Sequence, residues 1–237
     1  MYISVLRLDP FLRSTDFTEA TMPGLDPKQL QETLAWRYAT KKFDSTKRIP
    51  SDVWKALEAS LVQSPSSYGL QPYKFIVLTD PKLREQIKAV SWNQAQVTDC
   101  SHYVVLAIRK GMGEEWVDKF LARTAEVRGS SIESLAGYKR AIIGDLVNGP
   151  RAATIDHWAA RQAYIAYGTL MLAAAALGVD ACPIEGMVNE KVDDILSLGE
   201  QGLATVSACA LGYRLVDDKY ATLPKVRFPV ETLVEYR

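Results

Sequence analysis

The chain has 237 residues, 48% of them hydrophobic and 24% charged, the profile of a soluble globular protein long enough to bury a real core. Its 28 basic residues equal its 28 acidic ones, which excludes a general electrostatic footprint for nucleic acid or an anionic membrane, so any anion site has to be built locally. Three cysteines without CxxC spacing (Cys100, Cys182, Cys209) and two histidines (His102, His157) without HExxH argue against a disulfide framework and a zinc site, and for a reducing, cytoplasmic setting.

Residues 1–25 mix Pro10, Pro23 and Gly24 with scattered polar residues and read as an N-terminal extension, without the basic-then-apolar pattern of a signal peptide. The domain proper is expected over 26–237. Asp26-Pro27 sets a capping side chain before a proline at the first helical position. The helix it starts is expected to carry Leu30 and Leu34 inward and to end near Trp36-Arg37. Ser51 is expected to cap a second helix, with Val53, Ala56, Leu57 and Leu61 on one face. The hydroxyl-rich loop "QSPSSYGLQP" (63–72) then leads into a strand over 74–79, and Asp80-Pro81 repeats the cap signature ahead of Leu83 and Ile87.

"YVVLAIR" (103–109) is apolar on both faces and reads as a central strand. Residues 114–148 read as one or two helices broken around Gly129 and Gly137. The most apolar stretch, "AYIAYGTLMLAAAALG" (163–178), is shorter than the ~20 residues of a bilayer crossing. It reads as part of a fully buried core helix from about 155 to 177 that ends at Gly178. "VDACPIEGM" is a short strand running into a loop, Asn189 caps a helix through Leu196, "LATVSACALGYR" is a third strand, and 221–237 is an extended tail with two prolines. Residue by residue, this describes one α/β domain with a mixed sheet.

"GMGEEW" (111–116) follows a strand and opens a helix, but it fails as a dinucleotide fingerprint. Trp116 stands where the third glycine is needed, and Glu114 and Glu115 would repel a pyrophosphate. Neither a GxxxxGK[ST] loop nor a GxSxG elbow occurs, and Ser66 and Ser67 have no nearby His or Asp to make a triad. Three clusters are more suggestive. "WRYATKKFD" (36–44) brings Arg37, Lys41 and Lys42 together as a helix ends, either as a solvated basic turn or as an anion clamp. "LPKVRF" (223–228) alternates Lys225 and Arg227, which in an extended segment point the same way. "CPIEG" (182–186) places a loop at a strand end.

In this order the clusters resemble the nitroreductase family of FMN-dependent oxidoreductases, from about residue 28 to the C-terminus. "RYATKKFD", "SPSSYGLQPYKFIVL", "NQAQVTDCSHYVVL", "ALGVDACPIEGM" and "LPKVRF" are similar to successive blocks of that family. The resemblance implies an α+β sandwich, a mixed central sheet flanked by helices, in an intertwined homodimer with FMN at the subunit interface. It implies ping-pong hydride transfer through flavin N5, from NADH or NADPH to a small oxidised acceptor such as a nitroaromatic or a quinone. A flavin or enone reductase of the same superfamily and a non-enzymatic FMN-binding protein stand as alternatives.

Carried over by position, the resemblance implies that Arg37, Lys225 and Arg227 grip the FMN phosphate, whose charge three cations would offset. Lys41 would lie at the pyrimidine edge and stabilise negative charge there. Pro65, Ser66 and Ser67 would come from the partner subunit, and Asn93 would hydrogen-bond the pyrimidine edge. Pro183, Ile184, Glu185 and Gly186 would pack along one flavin face, with the last two backbone N–H groups facing N5 and O4. Tyr38 and Gln71 complete the cofactor-binding set, together with two positions where the chain departs from the family pattern. Ala39 replaces the motif serine, and Gln96 replaces a frequent lysine. Tyr68 either lines the acceptor slot or packs against the partner.

Overall fold

The computed structural model describes residues 24–237, so the expected N-terminal extension lies, but for Gly24 and Leu25, outside the described residues. Strands β1 (Tyr73–Leu78), β2 (His102–Arg109), β3 (Asp180–Ile184) and β4 (Leu203–Gly212) form one sheet in the order β1-β2-β4-β3. Every neighbouring pair is antiparallel. This corrects the α/β reading of the residues and agrees with the α+β sandwich that the resemblance implied. The parallel element is a single bridge, Ala39 to Ala181, and an antiparallel bridge joins Phe43 to Arg214. Both bridges lay the chain just after the first helix along the end of the sheet.

The expectation for β2 holds, because helices cover both faces of the strand. Val104, Leu106 and Ile108 point to one side, into a core shared with Leu57, Leu61 and Leu170. Tyr103 and Val105 point to the other side, toward Phe43, Ile87, Val97 and Val192. The first layer is made by α2 (Ser51–Val62), α5 (Glu114–Arg128) and α7 (Ile155–Ala176), the second by α3 (Pro81–Ala89), α4 (Gln96–Asp99) and α8 (Asn189–Leu196). α7 presents Ala159, Ala163, Ala166 and Ala174 to the core. Small side chains at helical spacing let this long helix lie close to the sheet.

Several local expectations change. In α1 (Pro27–Trp36), Asp26 caps as foreseen, accepting from the Lys28 N–H at 2.9 Å, but Leu30 and Leu34 are 37% and 46% exposed rather than inward. Ser51 does not cap α2: Pro50 holds that position, and no side-chain cap bond forms. Ala56 is exposed while Leu57 and Leu61 carry the buried face. Gly129, in the left-handed region at φ 63°, ends α5, whereas Gly137 sits inside α6 (Ala136–Ile142), which runs on into a π-helical turn over Ile143–Val147. The Asn189 side chain reaches across to the Thr205 carbonyl at 3.1 Å instead of capping α8. α7 ends at Gly178 as expected, but Tyr164, Ile165 and Leu172 leave one of its faces exposed. Among the described residues, no helix is long and apolar enough to cross a membrane.

Candidate functional site

The turn after α1 is fixed by two buried carboxylates. Asp218, only 3% exposed, accepts from the Tyr38 hydroxyl at 2.9 Å, from the backbone N–H groups of Lys41 and Lys42 at 2.7 and 3.1 Å, and from that of Tyr220 at 3.1 Å. Burial disfavours its charge, but the N–H donors and the Tyr38 hydroxyl outweigh burial and hold its pKa below the usual carboxylate value. The same arrangement raises Tyr38 to about 12, first through burial and then through the bond to Asp218. Asp180, at the start of β3, accepts from the Arg214 backbone at 2.8 Å and from its guanidinium at 2.7 Å, and the Thr40 hydroxyl adds a bond at 3.3 Å. The Arg214 guanidinium lies over Trp36 and Tyr38, 4.2 and 4.6 Å from their ring centroids. Together these contacts hold residues 36–42 in one conformation.

At this turn Lys225 meets Arg37, with Arg227 two residues further along the tail. Lys225 Nζ donates to the carbonyls of Leu34 and Arg37 at 2.6 and 2.5 Å, at the C-terminal end of α1 where a cation is favoured. Its pKa is depressed by burial and then by the charges of Arg37 and Arg227. Among the described residues, none of these three cations forms an ion pair with a carboxylate. Like charges gathered without a counter-ion repel one another, and a phosphate would relieve that repulsion.

Lys41 lies a short way along the same turn, with Nζ 4.0 Å from the Cys182 sulfur on β3. Burial raises the Cys182 pKa, while Lys41 and the side chain of Gln96 pull it down. Gln96 is buried in α4 beside that thiol. Lys41, Gln96 and β3 are thus brought to one place. Ala39 is bridged to Ala181 one residue before Cys182.

The strand-end loop is held from several sides. The Tyr167 hydroxyl accepts from the Ile184 N–H at 3.2 Å and donates to the Ala208 carbonyl, so it stands between β3 and β4 where Pro183 offers no N–H. The Tyr164 hydroxyl donates to Glu185 Oε1, and burial followed by that carboxylate raises Tyr164 to about 12. Gln94 Nε2 donates to the Gly186 carbonyl at 2.8 Å. Trp92 and Asn93 both have left-handed backbones, at φ 54° and 53°, and the turn they make lays the Trp92 ring on Gly186. A Cβ on Gly186 would sit 2.6 Å from that ring, which explains the glycine. Among the described residues, the N–H groups of Glu185 and Gly186 have no acceptor.

The loop 65–71 stands apart. Ser66 Oγ accepts from the Gln71 N–H at 3.0 Å, and the Ser67 N–H donates to Gln162 on α7 at 2.8 Å. Gln71 Nε2 turns back to the Val62 carbonyl at 2.7 Å. Pro65 is exposed. Tyr68, at φ 58°, donates its hydroxyl to Asp145 in the π-helical turn at 2.7 Å, and its carbonyl accepts from Tyr138 of α6 at 2.8 Å. None of these bonds reaches the Arg37–Lys225–Arg227 cluster or the Glu185 loop. Asp218, Tyr164, Tyr167 and Trp92 did not emerge from the sequence. Only the Tyr164/Tyr167 pair, three apart on one helix face, carried any signal there. Among the described residues, no group of His, Cys, Asp or Glu could hold a metal ion.

The sequence profile of the nitroreductase family matches residues 34–213. YfkO of Bacillus subtilis, which carries the provisional name NAD(P)H nitroreductase, is 33% identical over 232 residues, spanning 88% of this chain and 97% of that one. Among solved structures, ydfN of Bacillus subtilis superposes with a TM-score of 0.78 at 20% identity, covering 89% of this chain and 99% of that one. A protein of Exiguobacterium sibiricum with the provisional name nitroreductase, solved in complex with FMN, superposes with a TM-score of 0.73 at 21% identity, covering 92% and 100%. At these identities the structural likenesses establish the fold, while the sequence matches extend through both layers and the 36–42 turn.

Proposed function

The chain belongs to the nitroreductase family, and from that premise we propose that it is a homodimeric, FMN-dependent oxidoreductase that uses NAD(P)H to reduce nitroaromatics or quinones. The observation that carries this reading is the convergence of Arg37, Lys225 and Arg227, without a carboxylate partner among the described residues, on a turn that Asp218 holds rigid. The donor set fits a flavin mononucleotide: cations for the phosphate, and non-titrating N–H donors at a strand end. When bound, FMN supplies the centre that takes hydride from NAD(P)H and returns it to the acceptor.

The chain's own residues have definable tasks around that group. Arg37, Lys225 and Arg227 bind the phosphate, with the guanidiniums able to take two oxygens each. Lys41 supplies a fixed positive charge for the pyrimidine edge of the ring, where charge builds up on reduction. Its approach to the Cys182 thiol orients that ammonium. The N–H groups of Glu185 and Gly186 offer donors that cannot titrate, in a loop fixed by Tyr164, Tyr167 and Gln94. Gln96, lacking a charge, leaves Lys41 as the cation assigned to that edge.

Two observations support the homodimer. Large apolar side chains stand exposed on α1 (Leu30, Leu34, Trp36), on α7 (Ile165, Leu172) and along the C-terminal tail (Val226, Phe228, Val230), surface that a second subunit would cover. Pro65, Ser66 and Ser67 form no hydrogen bond to the clamp of their own protomer, as expected if they serve the partner's. The test is to purify the protein, record its visible spectrum and add NADPH or NADH anaerobically. Bleaching of a bound flavin, restored by a nitroaromatic or a quinone, is the expected result. A colourless protein that cannot be reconstituted with FMN ends the proposal.

A further inference from the structure

We propose that the cavity walled by Arg48, Arg84, Thr79, Thr98, Ser101 and His102 is a second anion site, apart from the flavin clamp, that takes the phosphoryl group of a small molecule. None of these residues belongs to the set assigned to FMN. The cavity encloses about 480 Å³, within the ~300–1,000 Å³ typical of small-molecule sites.

Arg84 carries the argument. It is only 8% exposed, and its guanidinium donates to the carbonyls of Leu78, Cys100 and Ser101 at 2.9, 2.9 and 3.0 Å. Those bonds pin α3 to the end of β1 and to the turn before β2. The acceptors are neutral, and they engage three of the five N–H groups that a guanidinium offers. The positive charge therefore stays buried with no carboxylate against it among the described residues. Arg214 is the contrast: its guanidinium meets Asp180 at 2.5 Å. A buried charge without a counter-ion is costly, and a ligand anion is the simplest group to offset it.

The surroundings match that role. Arg48 brings a second guanidinium, unpaired among the described residues, whose charge adds to the effect of burial in lowering the Arg84 pKa. Thr79, Thr98 and Ser101 also line the wall, with the Thr98 hydroxyl donating to the Ala95 carbonyl and Asp99 and Ser101 Oγ accepting from the Ile49 N–H. The acid in the lining, Glu85, is drawn toward Lys88 at 3.6 Å. His102 stacks on Trp54 with ring centroids 3.9 Å apart, and its Nδ1 lies 3.0 Å from Ser101 Oγ. Burial, then Arg84 and Arg48, lower its pKa to about 4. The ring is therefore neutral at ordinary pH, and it registers any anion that offsets the two arginines.

The two histidines of the chain make the test direct. With excess FMN present, so that the clamp is filled, inorganic phosphate and, separately, glycerol 3-phosphate are titrated at constant ionic strength. The His102 ring-proton signals are followed by NMR, with His157→Gln to assign them. The expected result is a saturable movement of the His102 signals at low-millimolar ligand, with the His157 signals still. Arg48→Glu, on an exposed residue, should weaken binding at least about tenfold, while FMN content and melting temperature stay unchanged. Tighter binding of glycerol 3-phosphate identifies a phosphorylated metabolite as the occupant, and tighter binding of phosphate identifies the free ion. The proposal is overturned by no saturable shift up to about 50 mM, by equal binding to Arg48→Glu, or by phosphate that competes with FMN and so sits in the clamp.

Discussion

The two halves of the proposed cation clamp are held in opposite ways. Arg37 sits on a turn locked from below by Asp218 and Asp180, beside the sheet, with its neighbours Tyr38 and Thr40 tied to those carboxylates. Lys225 and Arg227 ride on a tail in which every residue from Thr222 to Arg237 is exposed. Among the described residues, one ammonium, Lys225 on the carbonyls of Leu34 and Arg37, ties the halves together through its hydrogen bonds. On the proposed reading, half of the anion site is built by the protomer's own core, and the other half gains its order from a second subunit and the phosphate itself. Affinity for the cofactor and stability of the fold should then separate cleanly by residue.

The largest effect is expected at the locked half. Asp218→Ala removes the acceptor of four donors at a buried site, and costs about 3–5 kcal/mol of stability by urea unfolding. The Tyr38 hydroxyl and the backbone N–H groups of Lys41, Lys42 and Tyr220 all lose their acceptor together. The tail half should behave differently. Arg227→Ala lowers FMN affinity about 10- to 100-fold, the worth of one charge-assisted bond, while the urea midpoint of the apo protein moves by less than about 0.5 kcal/mol. If instead Asp218→Ala unfolds like the parent, or Arg227→Ala unfolds early, the contrast between the halves is wrong.

The same contrast explains what could be read from the chain beforehand. Asp26-Pro27 and Asp80-Pro81 announced two helix starts because a cap and a fixed φ are local chemistry, and both carboxylates do cap. The uninterrupted apolar run of β2 announced a strand buried on both faces. Arg37, Lys225 and Arg227 were legible as cations, and the order of the motif blocks linked them to one another. Strand direction was not legible: β2 and β4 pair across a gap of some ninety residues, and period-2 alternation is the same for parallel and antiparallel neighbours. Asp218 was silent for the same reason, since three of its four partners lie 176 to 180 residues away and the local one, the Tyr220 N–H, marks only a turn. Leu30 and Leu34 misled because an apolar stripe marks a buried face without saying which chain covers it.

Alkaline titration sharpens the comparison from the locked side. Tyr38 is raised from its ordinary 10 to about 12, so the folded chain keeps this proton where the unfolded chain has lost it. Its contribution is fully present below pH 10 and is lost as pH rises toward 12. The expected slope is downward over that window, on the order of 1 kcal/mol in total once solvent screening is counted. Tyr38→Phe flattens the slope, and Tyr164, raised to a similar value, accounts for part of what remains. Substitutions in the tail leave it unchanged.

The smallest effect on stability is expected at Tyr68, and the mutation there decides what the loop 65–71 is for. Its hydroxyl bond to Asp145 is one of two that hold this loop to the segment 136–147, the other being Tyr138 to the Tyr68 carbonyl. Asp145 keeps Arg151 at 2.9 Å whether or not the hydroxyl is present, so Tyr68→Phe leaves no carboxylate unpaired and costs about 0.5–1 kcal/mol. If Tyr68 only packs the loop, NAD(P)H oxidation with every acceptor falls together or not at all. If it lines the acceptor slot, KM shifts for bulky acceptors and stays put for small ones, while the FMN spectrum is unchanged. We expect the second outcome, because the ring is held at its tip by Asp145 and tilts against Tyr138 with centroids 6.2 Å apart, which fixes an aromatic wall. On that reading, sequence changes in 114–148 that move Asp145 or Tyr138 re-aim the wall toward a different acceptor.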